Sequence, residues 1–355
     1  MTLCRHFGIC GGCALQDMPD AAYRAHKLGV ITNAFARYGL DAKPEELIVV
    51  PSQSRRRATF KAVQTVNGLR FGFHAAASHE VIDLQECRLL TPALFLSVAG
   101  LRAMLDDILN PGESAELKVT HLDGGMDVSL RWARKEDTVT LARLAQWAQK
   151  LRLVRLSRHG VPQLNLSPAT LRLGPATLDF PPEAFLQPTV PGEQALQNFV
   201  ISALAKAKKV ADLFSGCGTF ALPLAQKASV HAVELEDDHL KALEVAARQP
   251  GMKPVTVEKR NLFKRPLTES ELKKYDGVCL DPPRAGAEEQ ARVLAAAHVR
   301  HLAYVSCDAQ TFARDASILI SGGYTLTRLI VVDQFLWSNH IELAASFRKA
   351  VKRFP

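Results

Sequence analysis

Apolar residues recur along the second half of this chain in short runs, and each run ends in a polar or glycine-rich segment. Between the runs, apolar residues recur three or four positions apart, which is typical of amphipathic helices. This alternation of strands and helices predicts a Rossmann-like α/β fold. The predicted strands cover residues 210–214, 230–233, 255–257, 277–280, 302–305, 325–332 and 343–347.

The first half of the chain has a less regular pattern. Residues 23–38 have a helical period, with Leu28, Ile31 and Phe35 on one face. Short strands are predicted between residues 47 and 84, and a helix is predicted over 91–109, whereas 117–143 mixes both signals. We therefore predict an α+β domain over residues 1–185 and the α/β domain over residues 186–355.

A cysteine stands where one predicted strand gives way to a helix. Leu302 to Val305 form the apolar run, Ser306-Cys307-Asp308 interrupts it, and a helical pattern follows. Ligands of open α/β sheets bind at the carboxyl ends of the strands. A thiol at that edge, near a helix N-terminus, is expected to have its thiolate form favoured. The competing interpretation is a small buried hydrophobic residue.

Composition and charge point to a globular protein with a polyanionic partner. Hydrophobic residues make up 47% of the chain and charged residues 23%, and the formal net charge is +8. Arg55-Arg56-Arg57 lies at the entrance to a predicted strand, where phosphate contacts are favoured, although it and the basic group at 152–158 could each be a solvated face. Because no apolar run reaches the ~20 residues of a membrane span and no signal peptide is present, we expect a cytoplasmic protein without membrane contact.

Three of the seven cysteines lie close together near the N-terminus. Cys4, Cys10 and Cys13 have C-x5-C-x2-C spacing, and Cys87 follows far along the chain. Disulfides are not expected in a cytosolic chain, so metal binding is the better interpretation. A cluster of three thiolates with a distant fourth suits a 4Fe–4S cluster, and a Cys-only zinc site is the rival. Radical S-adenosylmethionine (SAM) chemistry requires a different spacing.

A glycine turn follows the strand at 210–214. The segment Asp212-Leu-Phe-Ser-Gly-Cys-Gly218 permits close backbone approach of a ligand, and Glu234 ends the next strand, where a carboxylate can accept both ribose hydroxyls. The third glycine of a dinucleotide site is missing, so the pattern favours SAM over NAD. An unliganded tight turn is the alternative.

Two more carboxylates stand at predicted strand ends. Asp281 begins Asp-Pro-Pro-Arg284, and Arg284 replaces the aromatic residue that amino-group methyltransferases use to stack on their base. Asp281 suits hydrogen bonding to the polar edge of a uracil, or else a turn cap. Glu342 lies where a loop enters the last strand and is either a general base or a surface carboxylate.

Together these motifs resemble the SAM-dependent RNA uracil-C5 methyltransferases, bacterial enzymes that make 5-methyluridine in 23S rRNA and tRNA. The likeness covers nearly the whole length. It depends on six motifs in the family's order, which are Cys4/Cys10/Cys13/Cys87, Phe185-Leu-Gln187, Asp212 to Gly218, Asp281-Pro-Pro-Arg-Ala-Gly, Val305-Ser-Cys307 with Ala313-Arg-Asp315, and His340-Ile-Glu342.

The resemblance implies a role for each matching residue. Cys307 would be the nucleophile that adds to C6 of uracil, and Glu342 the base that removes the C5 proton. The four early cysteines match the 4Fe–4S cluster of the rRNA-modifying members. The positions that match the family's cofactor contacts are Gln187, Phe214, Glu234 and Asp281, with Thr219 and Asn261 as weaker matches.

The chain departs from the family pattern at four places. The small RNA-binding barrel that precedes the cluster in some members is not expected, since Cys4 is almost the first residue. Asp308 replaces the usual asparagine after the nucleophile and is expected either to raise the thiol's pKa or to cap the helix. Gln334 and Leu336-Trp337 replace a Met-Phe-Pro-His run, and Pro188-Thr189 follows Gln187.

The sequence therefore predicts a monomeric class I SAM methyltransferase that acts on uracil C5 in 23S rRNA, with an N-terminal Fe–S domain. One alternative is a tRNA enzyme that makes the T-loop 5-methyluridine. Another is a non-catalytic Fe–S protein that binds RNA.

Overall fold

The computed structural model describes residues 3–135 and 137–350. The helices in these ranges are α1 (Asp20–Arg37), α2 (Pro92–Ile108), α3 (Thr138–Lys150), α4 (Val190–Ala203), α5 (Ala221–Leu224), α6 (Asp237–Ala246), α7 (Glu269–Leu272), α8 (Glu288–Ala296) and α9 (Ala309–Ser321). None of these described helices combines the length and the apolar character needed to span a bilayer.

The strands of the same ranges form two large sheets and one hairpin. They are β1 (Glu46–Val49), β2 (Arg57–Thr65), β3 (Gly68–Gly72), β4 (Ser114–Leu122), β5 (Gly125–Trp132), β6 (Arg155–Arg158), β7 (Val161–Asn165), β8 (Thr170–Leu173), β9 (Ala176–Asp179), β10 (Lys209–Leu213), β11 (Ser229–Glu234), β12 (Val255–Lys259), β13 (Gly277–Leu280), β14 (His301–Ser306), β15 (Tyr324–Asp333) and β16 (Glu342–Lys349).

The second half of the chain builds most of an eight-stranded sheet with the order β1-β15-β16-β14-β13-β10-β11-β12 among the described strands. All pairs are parallel except the two made by β16, which runs antiparallel to both β14 and β15. The carboxyl ends of β10, β11, β13 and β14 therefore meet at one edge, and the start of β16 joins them there. The predicted α/β fold of this half is confirmed.

Helices cover both faces of this sheet, which is why its central strands are apolar on both sides. Along β14, Ala303 and Val305 pack toward α4 and α5, whereas Leu302 and Tyr304 pack toward α1, α8 and α9. Alternate side chains of one strand thus enter two different hydrophobic cores.

The first half contains a six-stranded sheet with the order β3-β2-β4-β5-β6-β7, which is antiparallel except between β5 and β6. Helices α2 and α3 pack against it. Of the short strands predicted between residues 47 and 84, the one expected at Val81-Ile82 is wrong, because Val81 makes an isolated bridge with His74 in place of a strand. The ambiguous residues 138–143 begin α3, where the Asp137 side chain caps the helix by accepting from the Thr140 amide at 2.8 Å.

Helix α1 and strand β1 precede this sheet in the chain but belong to the eight-stranded layer. Strand β1 pairs with β15, and Phe35 of α1 lies 5.9 Å, centroid to centroid, from Phe312 of α9. The first half of the chain therefore contributes α1 and β1 to the layer that the second half completes. The domain division at residue 185 stays a prediction.

A buried ion pair fixes α1 to the end of β15. The Lys27 ammonium donates to Asp333 Oδ1 at 2.7 Å and to the backbone carbonyls of Phe335 at 3.2 Å and His340 at 2.7 Å. Asp333 also accepts a hydrogen bond from the Tyr23 hydroxyl, which in turn accepts from the Trp337 amide at 2.9 Å. Both charges are fully buried. The network holds the loop between β15 and β16 against α1.

We expect Lys27→Met to lower the free energy of unfolding by about 3 kcal/mol, because Asp333 would be left as an uncompensated buried charge. Urea denaturation would measure the change. The matched control is Arg24→Met, which removes an exposed helical ion pair with Asp20 worth less than about 1 kcal/mol. The double variant Lys27→Met/Asp333→Asn should recover part of the loss. If Lys27→Met and Arg24→Met lower the free energy of unfolding by the same amount, Lys27 does not have this role.

Candidate active site

Strand register brings two of the predicted cofactor residues side by side. Leu213 of β10 lies opposite Leu280 of β13 in a parallel pair, so Phe214 and Asp281 leave the sheet as neighbours. Strand β11 pairs with the other side of β10 and ends in Glu234. The glycine turn and both carboxylates therefore lie at the carboxyl edge, as the sequence predicts.

The turn after β10 has an unusual backbone. Phe214 has φ +61°, and Gly218 has φ +95° where an added Cβ would lie 2.4 Å from Leu243 Cδ1. The amide of Gly216 donates to one oxygen of Glu234 at 2.9 Å, and the Leu235 amide donates to the other at 2.7 Å. A Cβ on Gly216 would meet nothing within 4 Å, so a ligand can approach this backbone closely.

The other predicted cofactor residues surround the same edge. Gln187 is buried, and Thr219 accepts a hydrogen bond from Gln197 through its carbonyl at 2.9 Å. Asn261 Oδ1 accepts from the amide of Phe263 at 3.1 Å. The Phe263 ring is partly exposed and lies 5.3 Å from Phe214, centroid to centroid.

Cys307 and Glu342 come together at the neighbouring strand ends. Ser306 of β14 lies opposite Leu343 of β16, so Cys307 and Glu342, each one residue further along this antiparallel pair, lie at the same edge. Asp281 is on the strand next to β14. The structure thus places the predicted nucleophile, the predicted base and a cofactor-side carboxylate beside one another.

Burial raises the pKa of the Cys307 thiol to about 11, and the charges of Glu342 and then Asp281 add to the effect, while the Arg284 guanidinium lowers it. The net effect of these groups opposes the thiolate form that the helix N-terminus is expected to favour. Asp308 caps α9, because its Oδ1 accepts from the amides of Gln310 and Thr311, both at 3.0 Å. Asp308 is thus a helix cap, and the raised pKa of Cys307 has other causes, which are burial first and then the charges of Glu342 and Asp281.

Glu342 is buried, as a general base with a raised pKa requires. Burial and then the Asp281 charge raise the pKa of Glu342 to about 8, whereas a hydrogen bond from Gln334 lowers it. Burial also raises the pKa of Asp281 to about 7. These carboxyl groups change charge close to neutral pH, where an acid–base catalyst is most effective.

The four early cysteines line one cavity of about 630 Å³, which also reaches Arg284, Gln334 and His340. Burial raises the pKa of Cys13 to about 12, and the nearby thiols of Cys87 and Cys10 add to it. Residues distant in sequence are thus brought to one place, which fits the predicted ligand set. However, no group of three or more His, Cys, Asp or Glu side chains among residues 3–135 and 137–350 is arranged to hold a metal ion.

The basic groups have different surroundings from those that the sequence suggested. Arg56 is buried and pairs with Glu193 at 2.5 Å, and Arg155 is buried and pairs with Asp127 at 2.7 Å. Neither is available for phosphate contact. Arg57 lies against the exposed ring of Phe185, with its guanidinium carbon 5.3 Å from the ring centroid.

Sequence comparison identifies the family. Residues 176–350 match the family model described as tRNA (Uracil-5-)-methyltransferase. An RNA methyltransferase of Agrobacterium fabrum, described as uncharacterized, is 39% identical over 355 residues, with 98% of this chain and 85% of that protein covered. The 23S rRNA (uracil(1939)-C(5))-methyltransferase RlmD of Halomonas elongata is 33% identical over 372 residues, with 96% of this chain and 74% of that protein covered. This chain belongs to the SAM-dependent RNA uracil-C5 methyltransferase family.

A solved structure has the same fold as this RNA uracil-C5 methyltransferase. It is the tRNA (uracil-54, C5)-methyltransferase of Pyrococcus abyssi in complex with S-adenosyl-L-homocysteine, with a TM-score of 0.73 at 18% identity, covering 98% of this chain and 88% of that chain. The predicted SAM methyltransferase fold is confirmed. The family assignment makes the protein an RNA methyltransferase that uses SAM.

Two site residues of this RNA uracil-C5 methyltransferase were not identified from sequence. Gln334 donates a hydrogen bond to Glu342 at 3.0 Å, whereas the sequence pattern shows it only as a departure from the family. Arg284 lowers the pKa of both Cys307 and Glu342, whereas its place after Pro283 indicates only that amino-group methylation is disfavoured. Gln334 directly follows Asp333, and Arg284 directly follows Asp281-Pro-Pro283, each at the end of a strand. Their position at a strand end is the sequence signal that indicates a site residue.

We expect Glu342→Gln to lower the pKa of Cys307, since a negative charge beside the thiol is removed. We expect the pKa of the thiol to fall by about one unit. At a fixed pH above the pKa of Glu342, iodoacetamide should then alkylate Cys307 roughly tenfold faster in the variant than in the wild-type protein. Peptide mass spectrometry would separate Cys307 from the other thiols. Glu244→Gln, a change at an exposed position of α6, should leave the rate unchanged. A slower reaction of Cys307 in Glu342→Gln would contradict the assignment.

Proposed function

We propose that this enzyme methylates C5 of a uridine in 23S rRNA through a covalent bond between Cys307 and C6. The observation that carries the proposal is the position of Cys307 and Glu342 at one sheet edge, beside the glycine turn after β10. A nucleophile and a base on adjacent strand ends can reach neighbouring carbon atoms of one ring.

The reaction requires both side chains. C5 of uracil is a weak nucleophile, and addition of the Cys307 sulfur to C6 makes C5 an enolate carbon. Bound SAM supplies the methyl group as an electrophile. Glu342 then takes the proton from C5, the electron pair of the C5–H bond forms the C5=C6 double bond, and the C6–S bond breaks to release Cys307.

Charge at the site supports these roles. Arg284 favours the anionic forms of Cys307 and Glu342, which are the forms that attack carbon and accept a proton. Its Nη2 atom lies 3.2 Å from His340 Nδ1, so the guanidinium is held beside the base-bearing loop. The acidic neighbours of Cys307 suit a cofactor with a positive sulfonium group, since opposite charges attract in a partly buried site.

We assign the cofactor to the edge formed by the ends of β10, β11 and β13. Glu234 would bind the ribose hydroxyls, and Phe214 would contact the adenine. Asp281 and Gln187 would face the methionine part and the target base. The proposed cofactor residues also include Thr219, which lies next to the glycine turn, and Asn261, which lies at the end of β12.

The rRNA assignment is supported by the RlmD likeness and by the four cysteines that line one cavity. A tRNA substrate is the second candidate, because the matching family model is described for tRNA. The exposed Phe185 with Arg57 offers a stacking surface beside a cation, which suits an extruded base or its neighbour.

We further propose that Cys4, Cys10, Cys13 and Cys87 hold a 4Fe–4S cluster in an N-terminal domain, residues 1–185, that binds RNA. The cluster would be a structural or RNA-binding fixture, since methyl transfer moves no electrons. The enzyme is proposed to be a cytoplasmic monomer.

The covalent step can be trapped with RNA that contains 5-fluorouridine, because fluorine at C5 cannot be removed as a proton. With SAM and fluorinated 23S rRNA, we expect an adduct that survives denaturing electrophoresis and is lost in Cys307→Ala. Cys279→Ala, at a buried cysteine within β13, is the matched control and should keep the adduct. Fluorinated tRNA is tested in parallel.

Trapping on tRNA alone would replace the rRNA assignment by the tRNA one. If neither RNA is trapped by the wild-type enzyme, the covalent mechanism is wrong. RNA binding without methyl transfer from SAM would favour the non-catalytic alternative.

The cluster is tested by anaerobic reconstitution with iron and sulfide. We expect the wild-type protein to bind both and become brown, and Cys10→Ser to lose the colour and the bound iron. Cys279→Ser, a buried strand position, should keep them. Bound zinc without sulfide in protein purified anaerobically would instead support the zinc site.

A further inference from the structure

Gln334 is a buried amide between the cofactor side of the site and the base. Its Nε2 donates to Gln187 Oε1 at 2.7 Å and to Glu342 Oε2 at 3.0 Å. Its carbonyl oxygen is buried and, within the described residues, has no hydrogen-bond partner. A buried polar atom without a partner destabilises the fold, so the arrangement needs a compensating reason.

The orientation of this amide follows from its surroundings. Turning it over would bring its carbonyl oxygen against the Glu342 carboxylate and against Gln187 Oε1, which are both acceptors. Helix α4 also confines it, because a Cβ on Gly192 would lie 2.5 Å from Gln334 Oε1. The two N–H groups are thus directed at Gln187 and Glu342, and the side chain has little room to turn away.

We propose that Gln334 is a positioning residue for proton removal from C5, holding Glu342 as a carboxylate that faces the target base and joining it to Gln187 on the cofactor side. The inference rests on the proposed role of Glu342 as the base.

Three other ionisable groups face Glu342 from the neighbouring strand ends. Asp281 raises its pKa, Cys307 lies beside it and is itself affected by the Glu342 charge, and Arg284 lowers its pKa. The hydrogen bond from Gln334 favours the charged form, as any donor to a carboxylate does. Loss of this donor raises the pKa of Glu342, so at a given pH a smaller fraction of the enzyme has the carboxylate that accepts the proton.

The step that depends on Gln334 comes after methyl transfer. Glu342 accepts the C5 proton, the C–H electron pair forms the C5=C6 bond, and the C6–S pair returns to Cys307. If Glu342 is protonated, the methylated adduct persists although the methyl group has already been transferred. Methyl transfer and proton release are therefore separable measurements.

The test uses a mixture of unmodified 23S rRNA and tRNA transcripts with tritium at uridine C5, together with SAM labelled in its methyl group. For Gln334→Met, we expect methyl transfer to continue while tritium release falls about tenfold below neutral pH. When the rate of tritium release is plotted against pH, the acid limb of the profile should move up by about one pH unit. The reason is that losing a hydrogen bond to the charged carboxylate raises the pKa of Glu342 by about that amount. The methylated protein–RNA adduct should accumulate.

Gln290→Met is the matched control. Gln290 is an equally buried glutamine whose amide bonds the backbone of Leu267, away from the strand-end edge that carries Glu342. It should lower the urea midpoint without moving the pH profile. Gln334→Glu keeps the size of the side chain but faces Glu342 with a second carboxyl group, and should move the acid limb further than Gln334→Met does.

Three results are decisive against the inference. The inference is overturned if the acid limb of the tritium-release profile is unchanged in both Gln334 variants. It is also overturned if methyl transfer and tritium release fall equally and the pH dependence stays the same, because that result indicates a purely structural role for Gln334. Wild-type enzyme that neither transfers methyl to RNA nor traps 5-fluorouridine RNA would overturn the proposed function instead, and the inference with it. If Gln334→Met fails to fold, the profile of Gln334→Glu decides.

Discussion

The buried pair of Lys27 and Asp333 is the interaction on which the active-site edge depends. The loop between β15 and β16 carries Gln334 at its start and meets Glu342 at its end, and Lys27 binds the carbonyls of Phe335 and His340 within it. The segment after Cys13 contacts the same loop, since the amides of residues 14 and 15 both donate to the carbonyl of residue 337. Lys27 thus uses a buried charge to hold two carbonyls of the loop, and its pairing with Asp333 offsets the cost of burying that charge.

Several carboxyl groups lie close together at this edge of the sheet, where they are poorly solvated. Asp281 and Glu342 both have raised pKa values, and the fully buried Asp212 has a pKa raised to about 8 by burial and by Asp281. The thiol of Cys307 faces two of these groups, and Arg284 is the neighbouring cation that opposes them. In such a site the anionic forms of the carboxyl groups and of the thiol are disfavoured until a positively charged group is bound nearby. Cofactor binding would therefore favour the thiolate as well as supply the methyl group.

The α/β half could be predicted from sequence because its strands are buried on both faces and appear as apolar runs that end in functional residues. The same reasoning failed at β6, which is buried throughout but contains Arg155 and Arg158. Arg155 is accommodated by Asp127 on β5, and no local pattern shows a partner on another strand. Sequence likewise could not show that burial and carboxylates from other strands oppose the thiolate form of Cys307.

The route of the chain explains how the two halves share one site. From α1 and β1 in the eight-stranded layer the chain passes to the six-stranded sheet, and it returns to the layer at α4. Arg55 bridges Leu90 on one side and Thr189 on the other, and the buried pair of Arg56 and Glu193 joins the two parts again. Because these contacts join the two parts on both sides of the six-stranded sheet, the surface that carries Cys87 faces the loop between β15 and β16. The orientation of one half toward Cys307 is thus set by packing, and a flexible linker could not set it so closely.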